Sequence, residues 1–163
     1  MENIRKILKN KILILDGAMG TMIQDYKLDE NDYRGDKFSD YISSLKGNND
    51  LLSITQPKII EDIHYKYLMA GADIIETNTF NANSISQSDY NLEDFVFEMN
   101  FQSAQIAKNA VKRFNKNIED KKFVCGSIGP TNRTASLSPK VEDLSFRNVT
   151  FDELYATYYE QVV

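Results

Sequence analysis

Asp16-Gly17-Ala18-Met19-Gly20 is the first group along the chain whose residue types could do chemistry. Glycines spaced this way let backbone N–H groups turn toward a ligand and form an anion-binding concavity. A carboxylate or a phosphate would fit there. The same residues also make a tight turn, and their spacing leaves both readings open. The pattern is neither G-x-G-x-x-G nor a P-loop, so nucleotide binding gets little support. Glu76-Thr77-Asn78-Thr79 is the second group. A carboxylate closing an apolar run is costly unless it is hydrogen-bonded or used. Glu76 could bind an amine and Asn78 could orient a polar substrate; alternatively, Glu76 pairs with a neighbouring strand or loop backbone. Gly126-Ser127-Ile128-Gly129-Pro130-Thr131 is the third, with two hydroxyls and a rigid turn. It reads as a wall of a site or as a plain turn.

His64, the only histidine, falls in the middle of a helical pattern, away from these groups, and reads as a surface or helix-packing residue. Cys125 lies between Val124 and Gly126 and reads as a small buried residue of a strand. One cysteine makes neither an internal disulfide nor a cysteine-rich zinc site. No Ser–His–Asp or Cys–His arrangement can be drawn from these positions.

The elements that must hold these groups follow from periodicity. Met1 to Asn10 reads as a short basic helix, and Ile12 to Leu15 as a strand buried on both faces, as in a parallel sheet. A helix begins near Thr55, with Thr55 as its cap and Pro57 in its first turn. Ile59, Ile60, Ile63, Tyr67 and Ala70 mark its apolar side, and Gly71 stops it. Ile74 to Thr77 is a second strand. A helix over roughly Leu92 to Phe114 shows an expected buried stripe of Phe97, Phe101, Ala104, Ala107, Val111 and Phe114. A charged return, Asn115 to Lys122, leads to a third strand, Phe123 to Gly126. A last helix starts at Phe151, capped by Asn148 or Thr150.

Three βα units after a short helix imply a parallel sheet. The strand-to-helix loops are long: Asp16 to Ile54, Asn78 to Asn91, and Ser127 to Val149. Loops beyond about 12–15 residues are usually functional or disordered. All three lie on one sheet edge, the C-terminal ends of the strands, where α/β folds place ligands. Within the first loop, Asp29 to Ser44 reads as a solvated stretch with aromatic anchors.

Composition narrows the function class. The 163 residues carry 19 Lys plus Arg against 24 Asp plus Glu, a net charge of −5, which argues against a phosphate-backbone binder. The longest clean apolar run, Ile12 to Leu15, is far short of the roughly 20 residues that span a bilayer. No signal-peptide pattern is visible, and a reducing, cytoplasmic setting is expected.

Longer segments carry a resemblance: ILDGAMGTMIQ (Ile14 to Gln24), NDLLSITQP (Asn49 to Pro57), AGADIIETNTFNANSIS (Ala70 to Ser86), GSIGPTNRTASLSP (Gly126 to Pro139) and FRNVTFDEL (Phe146 to Leu154). The chain resembles the homocysteine S-methyltransferase family, and in NRTASLSP and FRNVTFDEL its cobalamin-dependent methionine synthase branch. The resemblance implies part of a (β/α)8 TIM barrel that binds homocysteine at the C-terminal ends of its strands. It implies zinc held by three cysteines, and a methyl group taken from methylcobalamin that is recharged from methyltetrahydrofolate. Carried over by position, Asp16, Gly17 and Ala18 belong to the pocket for the amino-acid end of homocysteine. Glu76 and Asn78 are polar wall residues of that pocket, and Ser127 and Thr131 are further candidates.

The zinc cysteines of the family fall on later strands, so neither zinc nor cobalamin is expected bound to residues 1–163. A complete barrel takes roughly 200 residues or more. The expectation is therefore a single incomplete domain, inactive alone, that works with the remaining barrel and the cobalamin and folate domains. A non-catalytic, self-associating α/β module, a homocysteine methyltransferase with another methyl donor, and a flavodoxin-like anion binder are the competing readings.

Overall fold

The computed structural model describes residues 4–115 and 121–163. The expected N-terminal helix appears as α1 (Ile4–Ile7); Met1 to Asn3 and most of the charged return before Phe123 lie outside the described residues.

Two parallel strands, β1 (Ile74–Glu76) and β2 (Phe123–Cys125), pair in the register Ile74–Phe123, Ile75–Val124 and Glu76–Cys125. The expected first strand is reduced to a single bridge, Leu15 to Ile74, on the other side of β1. Ile14 and Asp16 still exchange main-chain bonds with Ile74, at 3.1 and 2.9 Å. Burial on both faces is not found: Ile12 is 89% exposed and Leu15 48%. An apolar run becomes a buried strand only where other elements cover it, and the described residues place little over this one.

The long first loop is structured. It holds α2 (Met19–Gln24), α3 (Glu30–Arg34) and α4 (Leu52–Thr55). Asp29 and Asp32 form a reciprocal capping box on α3. The reading of 29–44 as a solvated stretch with aromatic anchors holds: Tyr33 and Phe38 are buried in the main core, Tyr41 packs against it, and the residues between them stay exposed or half-buried. Glu30 ties the stretch down by accepting from the main-chain N–H groups of Leu45 and Lys46, both at 2.8 Å.

Helix α5 (Pro57–Met69) begins with Pro57, where no N–H is needed. Its cap is Gln56, not Thr55, which instead closes α4. Gly71 ends the turn with φ +107°, a conformation side chains disfavour. A short α6 (Ser84–Gln87) precedes α7 (Val96–Asn115), which packs along α5.

The buried side of α7 is Val96, Met99, Ser103, Ile106, Ala107, Ala110 and Phe114. Ala107 and Phe114 were expected, whereas Phe97 and Phe101 are exposed and stack on each other at 6.1 Å. The helix has two apolar sides, and the one carrying Met99 meets Leu51, Ile60 and Ile63 in the core. The final helix, α8 (Phe151–Val162), is capped by Thr150 in a capping box with Glu153.

A buried carboxylate fastens the N-terminal ends of the strands. Asp73 accepts from Lys11 at 2.7 Å, from the Ile14 N–H at 3.1 Å and from Lys122 at 3.3 Å. Burial alone would raise its carboxyl, but these donors hold it below the ordinary value.

Candidate functional site

The three groups singled out by residue type meet at the C-terminal ends of the strands. Asp16 follows the Leu15 bridge, Glu76 ends β1, and Ser127 lies just past β2. The Glu76 N–H donates to Asp16 Oδ2 at 3.1 Å, joining the first two groups. The third is joined through hydroxyls. The Ser127 N–H donates to Thr77 Oγ1 at 3.0 Å, and Thr79 Oγ1 donates to the Ser127 carbonyl at 2.7 Å. Thr79 thus spends its proton on Ser127, so Thr77 donates across the 2.7 Å gap between the two hydroxyls.

These residues surround a cavity of about 420 Å³, large enough for a small metabolite. Asp16, Gly17, Ala18, Glu76, Asn78 and Ser127 all line it, together with Asn49, Asp50, Phe80 and Asn81. Thr131 does not: its N–H donates to Tyr158 at 3.2 Å and its hydroxyl to the Arg133 carbonyl at 2.6 Å. It braces the loop behind the wall.

Two glycines are set by close approach. A Cβ on Gly17 would press on the Tyr67 ring at 3.1 Å, and the Tyr67 hydroxyl donates to the Ala18 carbonyl at 3.1 Å. A Cβ on Gly129 would overlap the Phe80 carbonyl, which accepts from the Gly129 N–H at 3.1 Å.

The lining holds three carboxylates, Asp16, Asp50 and Glu76, and no Lys, Arg or His. Burial pushes Asp16 up to about 6; the Glu76 N–H opposes this and the Glu76 charge adds to it. Its Oδ1 is buried with no hydrogen-bond partner. Burial also pushes Asp50 up to about 6, against the opposing N–H of Asn81, which donates to its Oδ1 at 2.9 Å. Such a cavity favours a cationic group carrying several N–H donors, as an ammonium does.

Asp50 escaped the reading by residue type because it lies inside a long loop and closes no strand. The available signal was its place in NDLL, where Asn48 caps a tight turn by accepting from the Leu51 N–H at 3.4 Å.

The other chemically able residues stand apart. His64 packs inside, on α5; burial pushes its imidazole down to about 4, and neither ring nitrogen has a hydrogen-bond partner. Cys125 is exposed, against expectation, because it ends β2, the edge strand of the described sheet. Among the described residues, no three His, Cys, Asp or Glu are grouped to hold a metal. No described helix is long and apolar enough to cross a membrane.

The fold is shared with solved structures. The homocysteine methyltransferase MmuM from Escherichia coli matches in its metallated form with a TM-score of 0.70 and 20% identity, over 98% of this chain and 51% of that one. Its oxidized form matches with a TM-score of 0.63 and 22% identity, over 79% and 41%. The chain thus spans about half the length of these structures or less. In sequence, the homocysteine S-methyltransferase pattern matches residues 13–163, more than nine-tenths of the chain. On that match, the chain belongs to the homocysteine S-methyltransferase family.

Proposed function

We propose that this chain forms the homocysteine-binding part of a methyltransferase, and that its cavity takes the amino-acid end of homocysteine. The observation that carries this reading is a cavity walled by Asp16, Asp50 and Glu76 at the C-terminal ends of the strands, in a chain of this family. The substrate ammonium faces the carboxylates and answers the unpartnered Asp16 Oδ1. The substrate carboxylate faces the backbone of Gly17 and Ala18. Ser127 contributes a polar wall from the third strand end. Two ends of one amino acid are thus read by opposite kinds of group.

On this reading residues 1–163 are a single incomplete domain: three βα units of a (β/α)8 barrel. Its other strands and helices would cover Ile12, Phe97 and Phe101, which are exposed here. The parent activity is cobalamin-dependent methionine synthesis, in the cytoplasm, with methylcobalamin recharged from methyltetrahydrofolate on further domains. A zinc ion there would lower the substrate thiol's pKa and present a thiolate nucleophile. The donors in this chain do not fit that ion, since Cys125 is the only thiol in the sequence and, among the described residues, no three His, Cys, Asp or Glu are grouped to hold a metal. What this chain does is bind and orient homocysteine, and alone it transfers no methyl group.

Calorimetric titration with L-homocysteine tests the reading. Saturable binding at one site, abolished in Asp16→Ala, is expected. Absence of binding, or binding untouched by that substitution, would overturn it. Self-association is a second reading, favoured by the same exposed apolar residues. Sedimentation distinguishes them, because a monomer at micromolar concentration removes the second.

A further inference from the structure

Asn78 is oriented by groups that leave its amide no choice of direction. It is 6% exposed, just past β1, on the cavity wall. Its Nδ2 lies 2.7 Å from the Asn49 carbonyl and 3.2 Å from Ser53 Oγ. A carbonyl can only accept, so the NH₂ end must face Asn49. The reverse orientation would set two acceptor oxygens 2.7 Å apart. Behind Ser53 stands Ser103 of α7, fully buried, whose hydroxyl is 2.7 Å from Ser53 Oγ and 3.1 Å from the Asn78 main-chain carbonyl. Ser103 can donate to either, and so ties Ser53 and Asn78 to α7.

Both amide protons of Asn78 are therefore spent inside the protein. That leaves Oδ1 as the amide atom free to serve the cavity that Asn78 lines. We infer that Asn78 Oδ1 is an acceptor for the ammonium of the bound amino acid, and that Ser53 and Ser103 are positioning residues that hold it so. This rests on the proposed amino-acid site. It adds a specificity element: a neutral oxygen beside the carboxylates, fixed by a relay from α4 and α7. A free asparagine could swing its NH₂ into the cavity and repel an ammonium. This one cannot without breaking the contacts to Asn49 and Ser53.

Two measurements on the full chain test the inference. In the ligand-free protein, NMR should show both Asn78 side-chain amide protons exchanging at least about tenfold more slowly than those of exposed asparagines, with one proton losing protection in Ser53→Ala. Fast exchange of both in the unsubstituted chain would overturn the orientation. The second compares L-homocysteine with its des-amino analogue, 4-mercaptobutanoate. Ser103→Ala should weaken homocysteine about tenfold and the analogue less than about twofold, because only homocysteine presents an ammonium. Equal weakening of both, or of neither, would overturn the positioning role while leaving the site intact. Failure of the unsubstituted chain to bind homocysteine would instead overturn the site itself, and the Asn78 assignment with it.

Discussion

Asp50→Asn should separate what the site costs the fold from what it does for the ligand. Burial raises the Asp50 carboxyl from 3.8 to about 6. An acid raised in this way binds its proton more tightly in the folded chain than in the unfolded one. Between about pH 4 and 6 the folded chain keeps a proton that the unfolded chain has released. Stability therefore falls across that window and stays low above it. At 1.36 kcal/mol per tenfold in the acid constant, this rise corresponds to about 3 kcal/mol. Asn keeps an Oδ1 for the Asn81 N–H but carries no charge, so the penalty disappears. The variant should match the unsubstituted chain near pH 4 and exceed it by about 3 kcal/mol at pH 7.5. Urea unfolding from pH 4 to 8 reads this directly. Asp16 titrates in both proteins, so the difference between the two curves isolates Asp50. Homocysteine affinity should move the other way, weakening at pH 7.5 as a carboxylate is lost from the wall. Parallel stability curves would refute the burial argument, and unchanged affinity would remove Asp50 from the site.

Asp16→Asn should weaken homocysteine at least about tenfold and flatten the rise in affinity between pH 5 and 7, the range in which the raised Asp16 carboxyl ionises; calorimetry across that range reads both effects. Gly129→Ala should cost about 1–3 kcal/mol, seen as a lower urea midpoint, because its Cβ must displace the Phe80 carbonyl. Met99→Ala should cost about 2–5 kcal/mol, against about 0.5 kcal/mol or less for exposed Phe101→Ala. Denaturation of that pair tests which side of α7 is buried.

Much of the site was legible from residue types at strand ends. Asp16, Glu76 and Ser127 close or follow apolar runs, and polar residues there project toward the loop edge of a parallel sheet. The order of the later elements was legible for the same reason, and Pro57 in the first turn of α5 and the Thr150 cap of α8 are local chemistry. The misses share a different cause. Phe97 and Phe101 repeat with the helix as well as Met99 and Ile106 do, and period alone cannot say which side is covered. Cys125 and Ile12 sit in apolar runs that look interior, yet interior status depends on neighbours far away in sequence. Asp50 was hidden because its burial comes from a loop folding back, with Asn48 and Gln87 bonded side chain to side chain at 2.7 Å beneath it.

The two ends of the short sheet treat carboxylates in opposite ways, and this asymmetry supports the binding site proposed above. At the N-terminal ends Asp73 is buried among Lys11, Lys122 and an N–H donor, and is held below its ordinary pKa. It is matched and contributes stability. At the C-terminal ends half-buried Asp16 and buried Asp50 are met by neutral N–H donors and line a cavity that holds no Lys, Arg or His, and both are raised to about 6. Selection for stability alone would not favour this, because a desolvated carboxylate without a cation opposes folding. The mismatch makes sense if the missing cation arrives with the ligand. An ammonium set between these carboxylates would return both toward ordinary acidity, so binding near pH 6 should release protons. Calorimetry in buffers of different ionisation enthalpy measures that release. Binding that takes up protons, or moves none, would mean the ammonium lies elsewhere.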